Sequence, residues 1–276
     1  MKDFLIRLID IVLGPFYGKL QFQSFFGLLY SISLKGFNLR HRSMKTNGEQ
    51  GVIKKIHHYC QISNIEPIVF DVGANEGQYS QELIRQFGMS MSLHCFEPSV
   101  KTFQRLSFQL VEHGTIHLHK VGLGERNEKF KFFVSSYDST LNSMYARGDA
   151  AAVSYDGKEE VEIRRLSDFC MQESITHIHF LKIDVEGNEL SVLKGGEDLI
   201  RQQKVDFIQF EFGSRNVDAR TYLADFFNMF GEEYELFRIM RNGLYSMPIY
   251  NYDYEIFAIG NYLAISKKVV KQFLKV

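Results

Sequence analysis

The chain has little cysteine and no cysteine pattern. Cys60, Cys95 and Cys170 are odd in number, far apart and form no CxxC pair. Neither a zinc module nor a disulfide framework is therefore expected, and a reducing compartment suits the sequence. Charge of one sign is also missing: the formal net charge is −1 over 276 residues, and no run of like charge stands out. A nucleic-acid binder carries a basic footprint, so nucleic acid is excluded as the expected partner. Long apolar runs are absent too, none approaching the ~18 residues of a spanning helix. The start, Met1-Lys2-Asp3 and then an apolar stretch broken by Arg7 and Asp10, has no small-residue cleavage site, so no signal peptide is read there. A cytoplasmic location is expected, with any membrane contact peripheral. No internal repeat or low-complexity tract occurs. What is present, 45% hydrophobic and 24% charged residues, is ordinary globular composition. The length suits one large α/β domain with a modest appendage.

The appendage is the stretch 1–47, rich in Phe, Leu and Ile. Asp3, Arg7 and Asp10 recur at helical spacing and leave a wide apolar face that includes Leu5, Leu8, Ile9 and Val12. Lys35, Arg40, Arg42 and Lys45 follow. Apolar helix faces are usually core, so the expectation is a helical arm packed on its own domain or on a second copy in a homodimer. The alternative is a helix lying on a membrane, its basic residues near lipid headgroups.

Residues 48–276 read as the main domain. Short apolar runs, Ile68–Phe70, Leu93–Phe96, Ile116–Leu123, Ile178–Ile183 and Phe207–Phe210, are separated by amphipathic stretches. Helical patterns cover Tyr79–Phe87, Ser99–Val111, Glu189–Arg201 and Arg220–Phe230. Strands alternating with helices predict βαβ units and a mostly parallel sheet with helices on both faces, a Rossmann-like α/β fold. Tyr234–Ile239 and Glu255–Ile265, separated by a turn-rich stretch with Asn242-Gly243 and Pro248, suit an antiparallel pair at the end of that sheet. Lys129–Val134 and Val161–Arg164 also look like strands, with a polar loop, Ser139–Ser143, between them. This is an insertion over a site or a surface hairpin.

Four of the five apolar runs end in a carboxylate: Asp71, Glu97, Asp184 and Glu211. Ligands of open α/β sheets bind beyond the carboxyl ends of the strands, near a switch point, so this edge is read as the active face. The first turn, Asp71-Val72-Gly73-Ala74-Asn75-Glu76-Gly77, permits close approach of a ligand to main-chain N–H groups. The dinucleotide fingerprint requires glycine where Asn75 and Gln78 stand, and Asp71 disfavours a phosphate, so pyrophosphate is not expected. A cation carrying a sulfonium and an ammonium fits better. Glu97, at the end of the second strand, is placed to take two ribose hydroxyls, with Pro98 at the first position of the next helix. The pairs His117/His119 and His177/His179 alternate and share strand faces, but both are read at strand starts, away from Asp184 and Glu211, and no metal site is expected.

The sequence Val69 to Ser80, with Asp71, Gly73, Ala74, Asn75 and Gly77, resembles the cofactor loop of the FkbM family of methyltransferases. Phe96-Glu97-Pro98 is similar to that family's second motif. Leu181-Lys182-Ile183-Asp184-Val185-Glu186-Gly187-Asn188-Glu189-Leu190, followed by Val192-Leu193-Lys194-Gly195-Gly196, resembles its most specific signature. Phe210-Glu211-Phe212-Gly213, Arg220-Thr221-Tyr222 and Asn261-Tyr262-Leu263-Ala264 are similar to its downstream segments. The resemblance covers roughly residues 48–266. It implies S-adenosyl-L-methionine as cofactor, held by Asp71, Gly73, Ala74, Asn75, Gly77, Glu97 and Pro98. It also implies O-methylation of a small-molecule or glycan acceptor. Asp184 is the candidate base for the acceptor hydroxyl, with Glu186 or Glu211 as alternatives. Two other readings stay open: Asp184 and Glu211 hold a divalent cation that activates the hydroxyl, or the domain binds the cofactor as a sensor or scaffold without turnover.

Overall fold

A computed structural model describes residues 2–41, 43–110, 114–134 and 157–276. Among them lie eleven strands: β1 (Ile68–Val72), β2 (Ser92–Phe96), β3 (Ile116–His119), β4 (Gly122–Gly124), β5 (Glu128–Val134), β6 (Gly157–Arg165), β7 (Ile178–Ile183), β8 (Val205–Phe212), β9 (Tyr234–Met240), β10 (Gly243–Ser246) and β11 (Gly260–Ser266). Eight of these build one sheet in the order β10-β9-β11-β8-β7-β1-β2-β3. The run from β8 to β3 is parallel, and β11 is inserted antiparallel between β8 and β9. The fold is the expected Rossmann-like α/β architecture with an antiparallel C-terminal end.

The parallel strands are near-continuous apolar runs because both their faces are covered. The helices are α1 (Lys2–Leu13), α2 (Gln23–Gly36), α3 (Met44–Asn47), α4 (Glu49–Ile62), α5 (Gln78–Phe87), α6 (Val100–Gln109), α7 (Leu166–Gln172), α8 (Glu189–Gly195), α9 (Glu197–Arg201), α10 (Arg215–Asp218), α11 (Leu223–Phe230) and α12 (Val270–Phe273). Side chains of α4, α5, α6 and α12, such as Ile53, Leu83, Leu106 and Phe273, share one core with Val69, Phe180 and Phe207. Those of α7, α8, α9 and α11, such as Phe169, Val192, Ile200 and Phe226, share the other with Phe70, Ile183 and Phe210.

Two expected elements divide. The run Ile116–Leu123 becomes β3 and β4, and β4 leaves the main sheet to pair with β6 in a second sheet of order β4-β6-β5. Gly122 and Gly124 allow this: a Cβ on either would press into Ile163 of β6, at 2.6 and 2.8 Å. The helix expected over Glu189–Arg201 breaks into α8 and α9 at Gly195-Gly196, because a Cβ on Gly195 would run into the Gly124 carbonyl. Within the turn-rich stretch after Asn242, β10 forms a hairpin with β9. The two strand-like stretches Lys129–Val134 and Val161–Arg164 do pair, antiparallel, as β5 and β6. The loop Ser139–Ser143 lies outside the described residues.

The arm departs from the packed-on-its-own-domain expectation. Leu34 is buried with Leu39 and Ala258, but Phe4, Ile11, Val12 and Leu20 are at least 60% exposed.

Candidate active site

β1 feeds a loop whose backbone only small or permissive residues tolerate. Gly73, Asn75 and Gly77 have φ of +82°, +49° and +90°, the left-handed region that L-residues seldom occupy. A Cβ on Gly73 would collide with the Asp184 carbonyl, so the glycine is what lets the loop lie against the end of β7. The Gly73 and Ala74 N–H groups both donate to the Phe96 carbonyl, at 3.0 and 2.9 Å. This ties the loop to the end of β2.

Glu97 follows directly. Its Oε2 accepts from the Asn75 N–H (3.2 Å) and its Oε1 from the Ser99 N–H (3.0 Å). Burial pushes its carboxyl up to about 7, against those two bonds, which favour the charge. Each oxygen keeps acceptor capacity for a ligand hydroxyl. The Asn75 side-chain oxygen is buried without a hydrogen-bond partner among the described residues. A glycine cradle that a Cβ would fill, a carboxylate with spare lone pairs and an orphaned amide oxygen fit a nucleoside ligand with hydroxyl and amine donors. Pro98 stands two residues before the first helical position that it is expected to fill: Ser99 is the N-cap and α6 begins at Val100. Glu159 of β6 supplies the capping acceptor, taking the Val100 N–H (2.8 Å) and the Ser99 hydroxyl (3.1 Å).

Beneath the loop lies a buried polar cluster that sequence reading missed. Asp71 is fully buried; its Oδ2 accepts from Ser80 at 2.6 Å, while Oδ1 has no partner among the described residues. Asp71 therefore acts as part of the wall behind the loop. Lys182, opposite it in β7, is also buried and donates to Asp184 Oδ2 at 3.0 Å, its ammonium 4.8 Å from the Tyr79 ring centre. Burial works against the lysine's charge, but Asp184, Asp71 and Glu49 outweigh it and hold the ammonium above its ordinary range. Burial raises the Asp71 and Glu49 carboxyls, with Lys182 as the main opposing influence on each. Gln209 completes the cluster, donating to Glu49 (2.7 Å) and accepting from the Tyr79 hydroxyl (3.0 Å). The signal for all this was Lys182 itself, a lysine in the middle of a strand otherwise buried on both faces.

Asp184 leaves this cluster for the surface. Its N–H donates to the Val72 carbonyl (2.9 Å), and its side chain is 39% exposed. Glu186, at φ +56°, turns away and pairs with Arg215 at 2.7 Å. Glu189 is instead the internal brace of this turn, accepting from the Val185 and Gly187 N–H groups, each at 3.1 Å; burial raises it to about 7. Glu211 comes to the same edge half-buried. Burial, and then the charges of Asp184, Glu186 and Glu189, raise its carboxyl well above the usual range. The four strand-end acids thus differ in role. Glu97 faces the loop, Asp71 is sealed behind it, Asp184 is open and backed by a lysine, and Glu211 is half-buried beside the other acids with its carboxyl raised.

The histidines form two separate groups. His94 Nδ1 lies 3.1 Å from His119 Nε2, and burial lowers these residues to about 3 and about 4. His119 closes β3 rather than starting it. His177, His179 and Asp206 gather at the opposite end of the sheet, their ligating atoms within 4.8 Å of one another. There His177 pairs with Asp206 at 3.0 Å, and His179 Nδ1 accepts the Ile68 N–H at 3.0 Å.

Comparison with known proteins adds family information to this geometry. The family model described as "Methyltransferase FkbM domain" matches residues 71–247. The chain is 26% identical over 162 residues to 2-O-methyltransferase NoeI of Sinorhizobium fredii (strain NBRC 101917 / NGR234), a match covering 55% of this chain and 65% of that protein. It is 25% identical over 149 residues to Methyltransferase 1 of Beauveria bassiana (strain ARSEF 2860), covering 48% and 59%. In both cases the match spans less than two thirds of the relative's length. Among solved structures, Aeropyrum pernix fibrillarin with bound S-adenosyl-L-methionine aligns at 9% identity and a TM-score of 0.39, covering 77% of this chain and 76% of that one.

Proposed function

The chain belongs to the FkbM methyltransferase domain family, and from that premise we propose that it methylates a hydroxyl of a sugar, glycan or related natural product, with S-adenosyl-L-methionine as donor. The donor supplies an electrophilic methyl group on a positively charged sulfur. The protein's share is to hold, align and deprotonate. The loop Gly73–Gly77 and Glu97 hold the nucleoside part, with Glu97 accepting from its ribose hydroxyls. Asp184 takes the acceptor's hydroxyl proton as the oxygen attacks the methyl carbon, the new C–O bond forming as the S–C bond breaks. Glu211, at the same edge, helps to orient the acceptor. Positioning of the two reactants accounts for much of the acceleration.

The observation that carries this reading is the contact between Gly73 and Asp184. The cofactor loop and the one open, lysine-backed carboxylate sit against each other where β1 has neighbours from both directions of the chain. The Lys182 ammonium already occupies one oxygen of Asp184, which favours a base over a metal ligand at that position. The name of the 26%-identical relative, a 2-O-methyltransferase, supports oxygen as the methyl acceptor. The test is S-adenosylhomocysteine release by the purified protein over a panel of nucleotide sugars and glycans, with Asp184→Asn as control. The variant should lose about 10²–10⁴ in turnover, the range for a lost general base, while binding cofactor normally. Near-normal turnover by a folded variant would remove Asp184 from the mechanism.

A further inference from the structure

The first two helices display apolar side chains that nothing among the described residues covers. Phe4 is 70% exposed, Ile11 74% and Leu20 87%, and Leu5, Leu8, Ile9 and Val12 are also exposed. Elsewhere exposed large apolar residues are scattered, which is normal; here they are consecutive along α1 and continue into α2 through Phe25, Leu28 and Ile32. A contiguous apolar surface larger than a few hundred Å² marks an interaction site. After Lys2, the polar residues of α1, Asp3, Arg7 and Asp10, fall on one stripe, the pattern of a helix lying in an interface rather than crossing it. Among the described residues no helix is long and apolar enough to cross a membrane.

Charge identifies the occupant. Residues 1–48 have seven basic residues, Lys2, Arg7, Lys19, Lys35, Arg40, Arg42 and Lys45, against two acidic ones, Asp3 and Asp10, although the whole chain has a net charge of −1. Lys19, Lys35, Arg40 and Lys45 are all exposed. Two copies joined through this segment would bring like charges together, whereas an anionic lipid surface is attracted by each of them. We propose that α1 and α2 dock this protein onto an anionic membrane, their apolar side chains entering the headgroup boundary and the basic residues meeting lipid phosphates. The segment is rooted beside the active edge: the Arg40 N–H donates to the Ile259 carbonyl at 2.7 Å, and Gly260 pairs with Phe212, the neighbour of Glu211. A docked arm therefore holds that edge close to the lipid.

The chain has no tryptophan, so Phe4→Trp in the full-length protein provides a single fluorescent reporter. Its emission should shift to the blue on addition of phosphatidylglycerol-containing vesicles. The protein should float with those vesicles at least about tenfold more tightly than with pure phosphatidylcholine, and less well at high salt. The double variant Leu8→Glu, Ile11→Glu should lose flotation but keep its melting temperature and S-adenosylhomocysteine affinity, since both side chains are exposed. Failure of the full-length protein to float with anionic vesicles overturns the proposal. So does flotation unaffected by the double variant, or a lipid-free dimer that the double variant converts to monomer, which would assign the surface to a second copy. Docking and methyl transfer are read out separately, so either can fail alone.

Discussion

Lys182→Met tests whether the buried charge cluster behind the cofactor loop supports the site. Methionine keeps the length and apolar stem of the lysine but removes the ammonium that lies between Asp71, Asp184 and Glu49. Lys182 is 3% exposed and Asp71 0%, so water cannot replace the lost partner. Lys182 acts on Asp71 through its charge rather than in a direct ion pair, so the cost should lie below the about 3–5 kcal/mol of breaking a buried pair. Asp184 adds little to that figure, because at 39% exposure it is solvated. The loss should depend on pH with a defined sign. Burial already raises the Asp71 carboxyl and Lys182 opposes it; without the lysine it rises further. A carboxyl with a raised folded-state pKa stabilises the fold only below its unfolded value and loses that contribution as pH rises. The variant should therefore lie closer to wild type at pH 5 than at pH 8. Urea unfolding at both pH values gives the comparison. A cost below about 1 kcal/mol at pH 8, or one identical at both pH values, would refute the assignment of Lys182 as the counter-charge of Asp71.

Three further outcomes follow from the geometry. Gly73→Ala places a Cβ against the Asp184 carbonyl at a φ of +82°; it should cost at least ~1–2 kcal/mol from the backbone alone and weaken S-adenosylhomocysteine binding, read by thermal melting and calorimetry. Glu97 titrates at about 7 in the free protein, and ribose hydroxyls donate best to its charged form, so cofactor affinity should rise as pH goes from 6 to 8. Glu97→Gln should flatten that dependence, and an equally steep profile in the variant would exclude Glu97 as its source. Truncation should be harmless up to residue 32 and harmful up to residue 45, because the longer cut removes Leu34 and Leu39, both buried, at about 2–5 kcal/mol each; melting temperatures of the two truncations decide this.

The parallel strands and their acidic ends were legible because burial on both faces writes itself as short apolar runs. Ile178–Ile183 is β7 to the residue. The departures share one cause: local pattern does not encode which partner a segment finds. Ile116–Leu123 reads as one strand, but its glycines let it change sheets against Ile163. The helical pattern of Glu189–Arg201 gives no sign of the close approach at Gly124 that splits it. At the site, spacing located Asp184 and Glu97 but not their differences in environment. Glu186 is two residues from Asp184 in sequence, yet the arginine that opens α10 pairs with it. Glu49 comes from a helix upstream of every motif and joins the cluster through the Gln209 hydrogen bond and the Lys182 charge.

The main sheet ends in two short strands, β3 at one side and β10 at the other, each of four residues. An open strand edge is a template for pairing with another chain, and short edges are one way proteins suppress that aggregation. The antiparallel insertion of β11 between β8 and β9 moves the outermost position from the long, apolar β8 to the short β10 hairpin. The long strands of the catalytic centre are thereby kept interior, and the chain can carry a sticky N-terminal surface without also exposing a long template for β-sheet growth.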